Sequence, residues 1–496
     1  MKKRSFWISA AVSLAVSAVL GGCGATTYFA GRPLPPSGLL NRVLIAVQNP
    51  GILAKGELDI VDAYYDIRSG YNTLPPTFQL SGFGGALPLT IQNMPEEQLG
   101  AVYSSGDGSF TLANYSTERT TGTVPHLNGP SSSIFITRNG NYVFAASQQA
   151  NVLTVVDQSS GASYGLSLPG VYRVSVNPGG SVALAFVQNS NYAYYARKLS
   201  ASESFSYSGG PGTWPKAAVD CEPQNAPAWC VFQVQSPDHI DPTGHYYGVP
   251  LVFDRPVKAV FSADGGTAYV LNCGPECGGK ASSVSVLPVG PLIFMVGQQS
   301  GLLPCNAAPC TNAHTVPMTT VPVVAASNAL VDSHTMYVVG QRLMPDGYFG
   351  GYLTVLDLTN NTVVPSTSSS PNPVSISDGL PGGPSRMLEA DDNTLWIGMT
   401  KCNQGERFIH NEPIGCLTMY NTSTKKVVML EPYLGDLTGI AAITNFHKIY
   451  VAEGGQVYIY ATTDGTMYDN QYVTVTGVAS DVAYMDAISD ANNTVY

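Results

Sequence analysis

The stretch "FITRNGNYVFAASQQANVLTVVDQSSG" (residues 135–161) decides the fold. It contains a short apolar strand, a polar turn with Asn and Gly, an aromatic-centred strand, a polar loop and a third strand that ends at Asp157. Short apolar runs joined by Asn-Gly turns are typical of antiparallel strands linked as hairpins. What the fold is depends on whether this pattern occurs once or repeats.

The same order of strands recurs along the chain. The aromatic-centred strand begins near residues 42, 98, 141, 181, 267, 335, 394 and 448. Where no insertion intervenes, the spacing is about 40–45 residues, the length of a four-stranded propeller blade. Such a sheet is apolar on both faces and cannot exist alone, so blades stack around an axis. The repeat predicts an all-β protein, a β-propeller of seven or eight four-stranded blades.

The end of the chain supplies a strand that its beginning lacks. Residues 42–49 and 58–67 have the pattern of later strands of a blade without a first strand. The segment "VASDVAYMDA" (478–487) has the pattern of that missing first strand. We therefore expect the ring to be closed by pairing of N- and C-terminal strands.

Several copies of the central strand resemble the YVTN-type β-propeller repeat family. The copies that carry the resemblance are "NYVFAA" (141–146), "TAYVLN" (267–272), "TMYVVG" (335–340) and "KIYVAE" (448–453). That family repeats a strand, a Pro/Asp-Gly turn, an aromatic-Val strand and a V-x-V-[IL]-D strand. This chain often lacks the Pro-Asp-Gly triplet and carries insertions at 206–254 and 298–320. The resemblance implies the fold and says little about activity.

The N-terminal residues have the pattern of an export signal. A basic "MKKR" head precedes an apolar stretch that ends in "LGGC", with Cys23 as its last residue. A basic head, a short apolar body and small residues describe a signal peptide. The ending resembles the bacterial lipobox, in which the Cys is lipidated. We expect a lipoprotein signal peptide at 1–22, a Gly/Pro-rich tether at 23–40 and a single propeller domain at 41–496.

Lipidation at Cys23 determines the expected location. Acyl chains such as palmitate hold a protein to a bilayer. Gly24 lacks the Asp that would favour the inner membrane in the bacterial sorting pattern. The sequence therefore predicts an exported, lipid-anchored protein of the bacterial outer membrane, in contact with the periplasm or the cell surface. An ordinary signal peptide cut nearby and an uncleaved anchor are the alternatives.

Eight further cysteines fall as four local pairs. They are Cys221 with Cys230, Cys273 with Cys277, Cys305 with Cys310, and Cys402 with Cys416. An even number of cysteines in an exported chain favours disulfide bonds, and we expect nearest neighbours to pair, although spacing does not prove connectivity. Zinc at the two most closely spaced pairs is the alternative, but no paired His ligands follow them.

Charge and motifs narrow the function. The formal net charge of −11 and the lack of internal basic runs exclude nucleic acid as an expected partner. The chain contains no Cys-x2-Cys-His and no Gly-rich phosphate loop. No catalytic residue and no cofactor are therefore predicted, and a binding module is favoured over an enzyme.

The largest insertion contains a weak candidate for a metal site. Two carboxylates and two imidazoles occur within eight residues, at Asp238, His239, Asp241 and His245. Such side chains could bind a divalent metal. Their spacing matches no known metal motif, and the other interpretation is an exposed loop whose Asp and Pro residues form turns.

An enzymatic alternative places a divalent metal in the central channel of a lactonase-like hydrolase. Acidic residues in turns at one end of the ring are the candidate ligands, namely Asp264, Asp332, Glu389, Asp391 and Asp392. The other interpretation is that these carboxylates satisfy backbone donors within the turns.

Aromatic side chains in or beside loops are candidates for recognition. They are Tyr246, Tyr247, Trp214, Trp229, Tyr348 and Phe349. Tyr and Trp are common at interfaces, and they also pack between blades. The sequence thus favours a membrane-anchored binding or scaffold module for a protein or carbohydrate, with recognition in loops 206–254, 298–320 and 400–415. An assembly factor for outer-membrane proteins is a third hypothesis, by fold analogy alone.

Overall fold

The structure of the protein is a computed structural model. It describes residues 31–49, 56–66, 78–124, 127, 129–199, 219–223, 227–240, 246–290, 292, 318–412, 414–432, 434–468 and 473–489. The predicted signal peptide and Cys23 lie outside these residues, as does most of the 298–320 insertion. Among the described residues, no helix is both long and apolar enough to cross a bilayer.

The strands of the first half of the described chain follow one another closely. The closing sheet begins with β1 (Arg42–Gln48) and β2 (Gly56–Asp62). Blade 1 consists of β3 (Pro88–Met94), β4 (Leu99–Ser104), β5 (Ser109–Asn114) and β6 (Arg119–Val124). Blade 2 consists of β7 (Ser133–Ile136), β8 (Tyr142–Ser147), β9 (Val152–Asp157) and β10 (Ala162–Ser167). Blade 3 consists of β11 (Val171–Val176), β12 (Ala183–Val187), β13 (Ala193–Leu199), β14 (Asp220–Glu222) and β15 (Ala228–Gln233).

The second half begins with a separate hairpin, β16 (Gln235–Ile240) and β17 (Tyr246–Pro250). Blade 4 consists of β18 (Pro256–Phe261), β19 (Thr267–Asn272), β20 (Ser283–Pro288) and β21 (Thr319–Pro322). Blade 5 consists of β22 (Asn328–Asp332), β23 (Thr335–Leu343), β24 (Phe349–Asp357), β25 (Thr362–Val363) and β26 (Val374–Ser375). Blade 6 consists of β27 (Gly383–Ala390), β28 (Thr394–Thr400), β29 (Cys416–Asn421) and β30 (Lys426–Pro432). Blade 7 consists of β31 (Leu437–Ile443), β32 (Lys448–Glu453) and β33 (Gln456–Ala461), and β34 (Val478–Tyr484) returns to the first strands.

The C-terminal strand closes the ring. β34 pairs antiparallel with β1, with Tyr484 opposite Val43 and Ala483 opposite Leu44, and β1 pairs in turn with β2. This sheet is blade 8, and its inner strand comes from the end of the chain. The predicted closure by N- and C-terminal strands is confirmed, and the count of blades is eight.

The ring has two distinct ends. In blades 1 to 7 the innermost strand is the first strand of the blade along the chain, and the next strand runs antiparallel to it. In blade 8 the innermost strand is β34, which pairs antiparallel with β1. Turns between the first and second strands therefore lie at one end of the ring, the first-turn end, and turns between the second and third strands lie at the opposite, second-turn end. Asp264 and Asp391 are at the first-turn end, whereas the Cys273–Cys277 loop is at the second-turn end.

Apolar side chains of the second strands fill the space between the blades. The aromatic residue that marks the repeat is buried in five blades, as Phe144, Tyr269, Tyr337, Trp396 and Tyr450. Each packs in a cluster with apolar residues of a neighbouring blade or of its own third strand. Burial of such large side chains contributes about 1.5–3 kcal/mol each, so blade stacking is the main apolar contribution to stability.

Three of the four expected disulfide bonds are present. Cys221–Cys230 joins β14 to β15, Cys273–Cys277 closes a short loop after β19, and Cys402–Cys416 pins the loop between β28 and β29. Each observed bond fixes a loop or an outer strand, and none of the three lies on the axis of the ring.

The fourth predicted disulfide bond is not among those that the structure describes. It would join Cys305 to Cys310 in the 298–320 insertion. Both Cys305 and Cys310 lie outside the described residues, since the chain is described up to residue 292 and again from residue 318. The pairing of Cys305 with Cys310 therefore stays a prediction, in contrast to the three confirmed pairs.

Part of the segment expected to be a tether is attached to the ring. Arg32 is buried and donates a hydrogen bond to the carbonyl oxygen of Pro95 at 3.0 Å. The Ser37 backbone N–H donates to the Glu118 carboxylate at 2.8 Å. Arg32 and Ser37 of this segment thus contact blade 1, and the boundary expected at residue 40 stays a prediction.

A buried ion-pair network, the Arg42 clasp, holds the closing blade to blade 1. Arg42 donates from Nε and NH2 to the Asp486 carboxylate at 2.9 and 2.6 Å, and from NH1 to Glu118 at 2.8 Å and to the Tyr115 carbonyl at 2.7 Å. Burial alone would lower the pKa of Arg42, but the hydrogen bonds and charge of Asp486, then those of Glu118, raise it above its usual value. The clasp ties both ends of the chain together.

Candidate functional site

Two neighbouring cavities lie on the axis of the ring. The first has a volume of about 220 Å³ and is lined by residues at or beside the inner strands of blades 1 to 6. The second, of about 360 Å³, is lined mainly by the inner strands of blades 1 to 4 and extends toward the first-turn end. Lys258 lines both cavities. Because inner strands surround the axis, this space is the central channel.

One position of the repeat supplies most of the charge in the channel. This position lies on the inner strand and pairs with the fifth residue of the second strand, as Lys258 pairs with Leu271. In blade 3 the second strand begins one residue later, so the partner is its fourth residue. From blade 1 to blade 8 it is occupied by Thr90, Ser133, Arg173, Lys258, Asn328, Arg386, Gly439 and Asp481. We call this set the channel ring.

A β-bulge precedes the channel ring in six of the eight blades. The register of the inner strand shifts immediately before Thr90, Arg173, Lys258, Arg386 and Gly439, and again before Asp481. A bulge bends the strand and re-aims the following side chain. Repetition of the bulge explains why residues far apart in sequence converge on one level of the axis.

Three members of the channel ring are cations, and they belong to blades 3, 4 and 6. Arg173, Lys258 and Arg386 are half-buried, since their ends face the cavity. Lys258 Nζ donates a hydrogen bond to Asn328 Oδ1 at 2.7 Å. Burial, and then the positive charges of Arg173 and Arg386, hold the pKa of Lys258 well below its usual value. One side of the channel is therefore strongly cationic.

No carboxylate is among the described side chains that line either cavity. Glu276, in the Cys273–Cys277 loop, interacts electrostatically with Arg173 from behind the lining. It accepts hydrogen bonds from the Gln341 backbone N–H at 2.9 Å and side chain at 3.0 Å. Burial raises the pKa of Glu276, while these hydrogen bonds and the charge of Arg173 oppose that rise.

The opposite side of the channel ring, formed by Gly439 and Asp481, carries no cation. Asp481 accepts hydrogen bonds from the backbone N–H groups of Ile91 at 2.7 Å and Val482 at 2.9 Å. A Cβ at position 439 would clash with the Asp481 carboxylate, so this position requires glycine. The only acid of the channel ring is thus used to join blades 7, 8 and 1, and it does not line either cavity.

The acids predicted to hold a channel metal lie at the first-turn end and line neither cavity. Asp264 accepts hydrogen bonds from Ser262 Oγ at 2.5 Å and Gly266 N–H at 2.9 Å, which lower its pKa. Asp392 accepts from Thr462 Oγ1 at 2.6 Å and contacts His447 Nδ1 at 2.9 Å. Asp332 contacts Ser333 Oγ at 3.2 Å. The contacts of Asp264 are the turn chemistry of the alternative interpretation, whereas Asp392 contacts side chains of blade 7.

Glu389 differs from the other acids because it lies inside an inner strand. Burial, and then the charge of Asp332 in the neighbouring blade, raise the pKa of Glu389 to about 7. Asp391 accepts a hydrogen bond from the His447 backbone N–H at 3.2 Å. In the described part of the chain, no three His, Cys, Asp or Glu side chains are grouped closely enough to hold a metal ion.

The candidate recognition residues have different environments. Trp229 is buried, with its ring 5.2 Å from Tyr142 and 5.4 Å from Phe144, and packs between blades 2 and 3. Its assignment to a binding loop is therefore corrected. Tyr348, at the tip of the β23–β24 hairpin, is 46% exposed, whereas Phe349 is half-buried.

The remaining candidates fall in or beside the largest insertion. Asp238 and His239 lie on β16, and Tyr246 and Tyr247 begin β17, where His239 pairs with Tyr247 through the backbone. Trp214, Asp241 and His245 lie outside the described residues. The hairpin precedes blade 4 at the second-turn end, so part of this insertion does lie on a loop-rich end of the ring.

The sequence contained a signal for the channel cations. Each basic residue interrupts an apolar inner strand at the same place in the repeat, in "VYRVSV" (171–176), "PVKAVF" (256–261) and "GPSRMLEA" (383–390). The chain has only 23 Lys and Arg residues among 496, so a shared repeat position is informative. Sequence reasoning that followed the acids and aromatics missed it.

Comparison with known proteins assigns the chain to no family. No protein-family profile matches the chain, and no curated protein matches it. The YVTN resemblance therefore remains a prediction. By structure, the chain is similar to hydrazine synthase of Kuenenia stuttgartiensis, with 14% identity and a TM-score of 0.43, over 80% of this chain and 100% of that one.

Two further solved structures are similar at the same distant level. The periplasmic gluconolactonase of Pseudomonas aeruginosa has 14% identity and a TM-score of 0.40, over 90% of this chain and 99% of that one. The β-propeller domain of Cps50 from Myceliophteria thermophila has 9% identity and a TM-score of 0.43, over 75% and 94%. The assignment of the propeller rests on the strand pairing described above, not on these scores.

Proposed function

We propose that this protein is an exported, lipid-anchored binding module whose ligand enters the central channel. The single observation that supports it best is the convergence of polar and charged side chains from six blades on one cavity. Elsewhere the blade faces are apolar and closely packed. A concave site with a few convergent polar groups is the usual form of a small-molecule site.

The lactonase-like alternative has less support from the geometry. A divalent cation in a protein is held by oxygen ligands, mostly carboxylates. The described channel lining instead presents Arg173, Lys258 and Arg386, which would repel such an ion. The acids considered for that role are at the first-turn end, where their oxygens accept hydrogen bonds from the turns.

The second-turn end extends the proposed binding surface. The β16–β17 hairpin, the Cys273–Cys277 loop, the exposed Tyr348 and the Cys402–Cys416 loop all lie at that end. Loops fixed on a rigid scaffold commonly carry recognition. A protein or carbohydrate that carries the channel ligand would contact these loops, and anchoring through Cys23 would hold the module at the outer membrane.

A steric variant tests the channel as the ligand site. Leu89 is 40% exposed and lines the first cavity, so Leu89→Trp has room to fold while filling the channel. We expect a thermal-shift screen with soluble sugars, sugar acids and amino acids to give hits whose stabilisation is lost in Leu89→Trp. Leu343→Trp, at a position 49% exposed on the β23–β24 hairpin, is the matched control. Hits that are unaffected by Leu89→Trp would contradict the proposal.

A further inference from the structure

We propose that the central channel binds the oxyanion group of a small acidic ligand, a carboxylate, sulfate or phosphate group, between Lys258 and the guanidinium groups of Arg173 and Arg386. This inference rests on the proposed function and specifies the chemistry of its ligand. It is carried by the arrangement of the three cations around the cavity.

Electrostatics favours an anion at this point of the channel. Arg173, Lys258 and Arg386 interact repulsively, and their positive charges are confined among inner strands where few waters can solvate them. No described carboxylate lines the cavity, and Glu276 interacts with Arg173 from outside the lining. An oxyanion between the three side chains would relieve the repulsion.

The hydrogen-bond donors in the channel also favour an anionic ligand. Lys258 carries three N–H donors, and its hydrogen bond in the described structure goes to Asn328. Neutral polar groups of the lining are used within the protein, since Gln92 bonds both backbone groups of Ile136 and Ser175 Oγ accepts from the Ala259 N–H. Lys258 therefore brings further charged N–H donors to the cavity, and charged donors form the stronger bonds with oxyanions.

The size of the channel limits the ligand. The cavity of about 220 Å³ at the cations lies below the usual range for drug-sized ligands, roughly 300–1,000 Å³. It accommodates an oxyanion group, and the adjoining cavity of about 360 Å³ can take a small body attached to it. The arrangement thus fits a small acidic molecule, or an acidic group at the end of a longer one.

Binding should be linked to uptake of a proton. At a pH above the lowered pKa of Lys258, the free protein carries a neutral amine at this position. An oxyanion beside the amine favours the ammonium, so the proton is taken from the buffer. The charged groups that face the Lys258 amine are Arg173 and Arg386, and Asn328, its hydrogen-bond partner, does not titrate. Glu276 interacts electrostatically with Arg173.

Calorimetric titration of the full chain with sodium sulfate tests the inference. The titration is repeated in Tris and imidazole buffers, whose ionisation enthalpies differ and which supply no oxyanion. We expect one sulfate per chain and proton uptake that grows as pH rises. Lys258→Met, Arg173→Met and Arg386→Met should each weaken binding about tenfold or more, the equivalent of about 1.4 kcal/mol. The exposed Lys426→Met is the matched control and should bind like the wild type.

The variant Lys258→Arg distinguishes loss of the positive charge at position 258 from a general loss of folding. It keeps the positive charge but cannot lose its proton, so it should retain sulfate affinity without proton uptake. Parallel titrations with acetate and phosphate rank the affinities of the oxyanions, and a titration with glucose measures binding of an uncharged compound. Equal sulfate affinity in the wild type and Lys258→Met, or preferred binding of glucose, would overturn the inference.

The outcomes distinguish this inference from the proposed function. If sulfate does not bind but a neutral compound binds and is displaced by Leu89→Trp, the channel is a ligand site and the anion chemistry is wrong. If no compound in the screen loses its stabilising effect in Leu89→Trp, the proposed function itself is wrong. Sulfate binding that survives Leu89→Trp but not Lys258→Met would place the anion beyond the blocked entrance and support the inference.

Discussion

Arg42 and Lys258 are both cations enclosed by the ring, and their surroundings are opposite. Arg42 has no exposed side-chain surface and is matched by two carboxylates, with Asp486 at 2.6 Å and Glu118 at 2.8 Å. Lys258 faces a cavity, has Asn328 as its hydrogen-bond partner and has Arg173 and Arg386 as charged neighbours. The same contrast is visible in their pKa values, which are raised for Arg42 and lowered for Lys258.

The difference teaches how to separate structural charge from functional charge in this protein. A buried ion pair that is fully matched contributes to the folded state through its completed hydrogen bonds, and loss of one partner leaves an uncompensated charge. A cluster of like charges around a cavity is unfavourable for folding, and in the proposed site the charge of a bound oxyanion would offset part of this cost. The predictions below test this distinction.

The largest effect is expected at the clasp. Arg42→Met leaves Asp486 and Glu118 buried without a counter-charge, and we expect a loss of about 3–5 kcal/mol in the free energy of unfolding. Urea unfolding followed by circular dichroism measures it. The exposed ion pair between Arg138 and Glu96 provides the control, because Glu96→Gln should change stability by less than about 1 kcal/mol. Equal effects of the two variants would contradict the structural role of the clasp.

A smaller effect of opposite sign is expected in the channel. Lys258→Met removes a cation that has like charges around it, and loses one hydrogen bond, worth about 1 kcal/mol, to Asn328. We expect the variant to be as stable as the wild type or more stable by about 1–2 kcal/mol near pH 7. A loss comparable to that of Arg42→Met would show that the channel cations are structural.

The pH dependence of the same variant sharpens the test. Because the pKa of Lys258 is lowered in the folded protein, the unfolded chain binds more protons, and wild-type stability should rise with pH toward the ordinary lysine value of 10.5. Lys258→Met should lack this contribution, so its advantage should shrink as pH increases. Urea unfolding at several pH values compares the two proteins.

The smallest effect concerns a like-charged pair of acids. The pKa of Glu389, raised to about 7 from 4.5, means that its ionisation disfavours the folded state between these values. The stabilising contribution of the protonated form is present at low pH and is lost as pH rises through 7. We expect Glu389→Gln to equal the wild type at about pH 4 and to exceed it by on the order of 1 kcal/mol at about pH 8, after allowance for partial exposure. Thermal unfolding in matched buffers measures the difference, and a pH-independent difference would contradict it.

Most of the fold could be predicted because its signals are local. Each second strand begins within two residues of the position that the repeat indicated, from β1 at Arg42 to β32 at Lys448. Three of the four predicted disulfide bonds are also observed, since loops with nearby cysteines bring them together without reference to the rest of the chain. The closing strand was predictable because its pattern completed an otherwise incomplete blade.

The candidate site was predictable only in part. Trp is a residue type common at recognition sites, but Trp229 lies on an outer strand of blade 3, and its side chain is buried against blade 2. The acids of the first-turn end, such as Asp264 and Asp392, were considered for the channel, yet neither lines a cavity. Asp264 accepts hydrogen bonds within its own turn, and Asp392 accepts one from Thr462 of blade 7. Local sequence gives the strand and the turn, and it does not give the direction in which a side chain points.

The sequence by itself determined the repeat, a count of seven or eight copies and the strand that joins the two ends. Only the tertiary structure decided that Arg173, Lys258 and Arg386 meet. The physical reason is that strand formation depends on the alternation of neighbouring residues, whereas convergence depends on the ring. Radial stacking and the repeated bulge bring one position of every blade to the same level of the axis, so residues from three distant strands create a single cationic site.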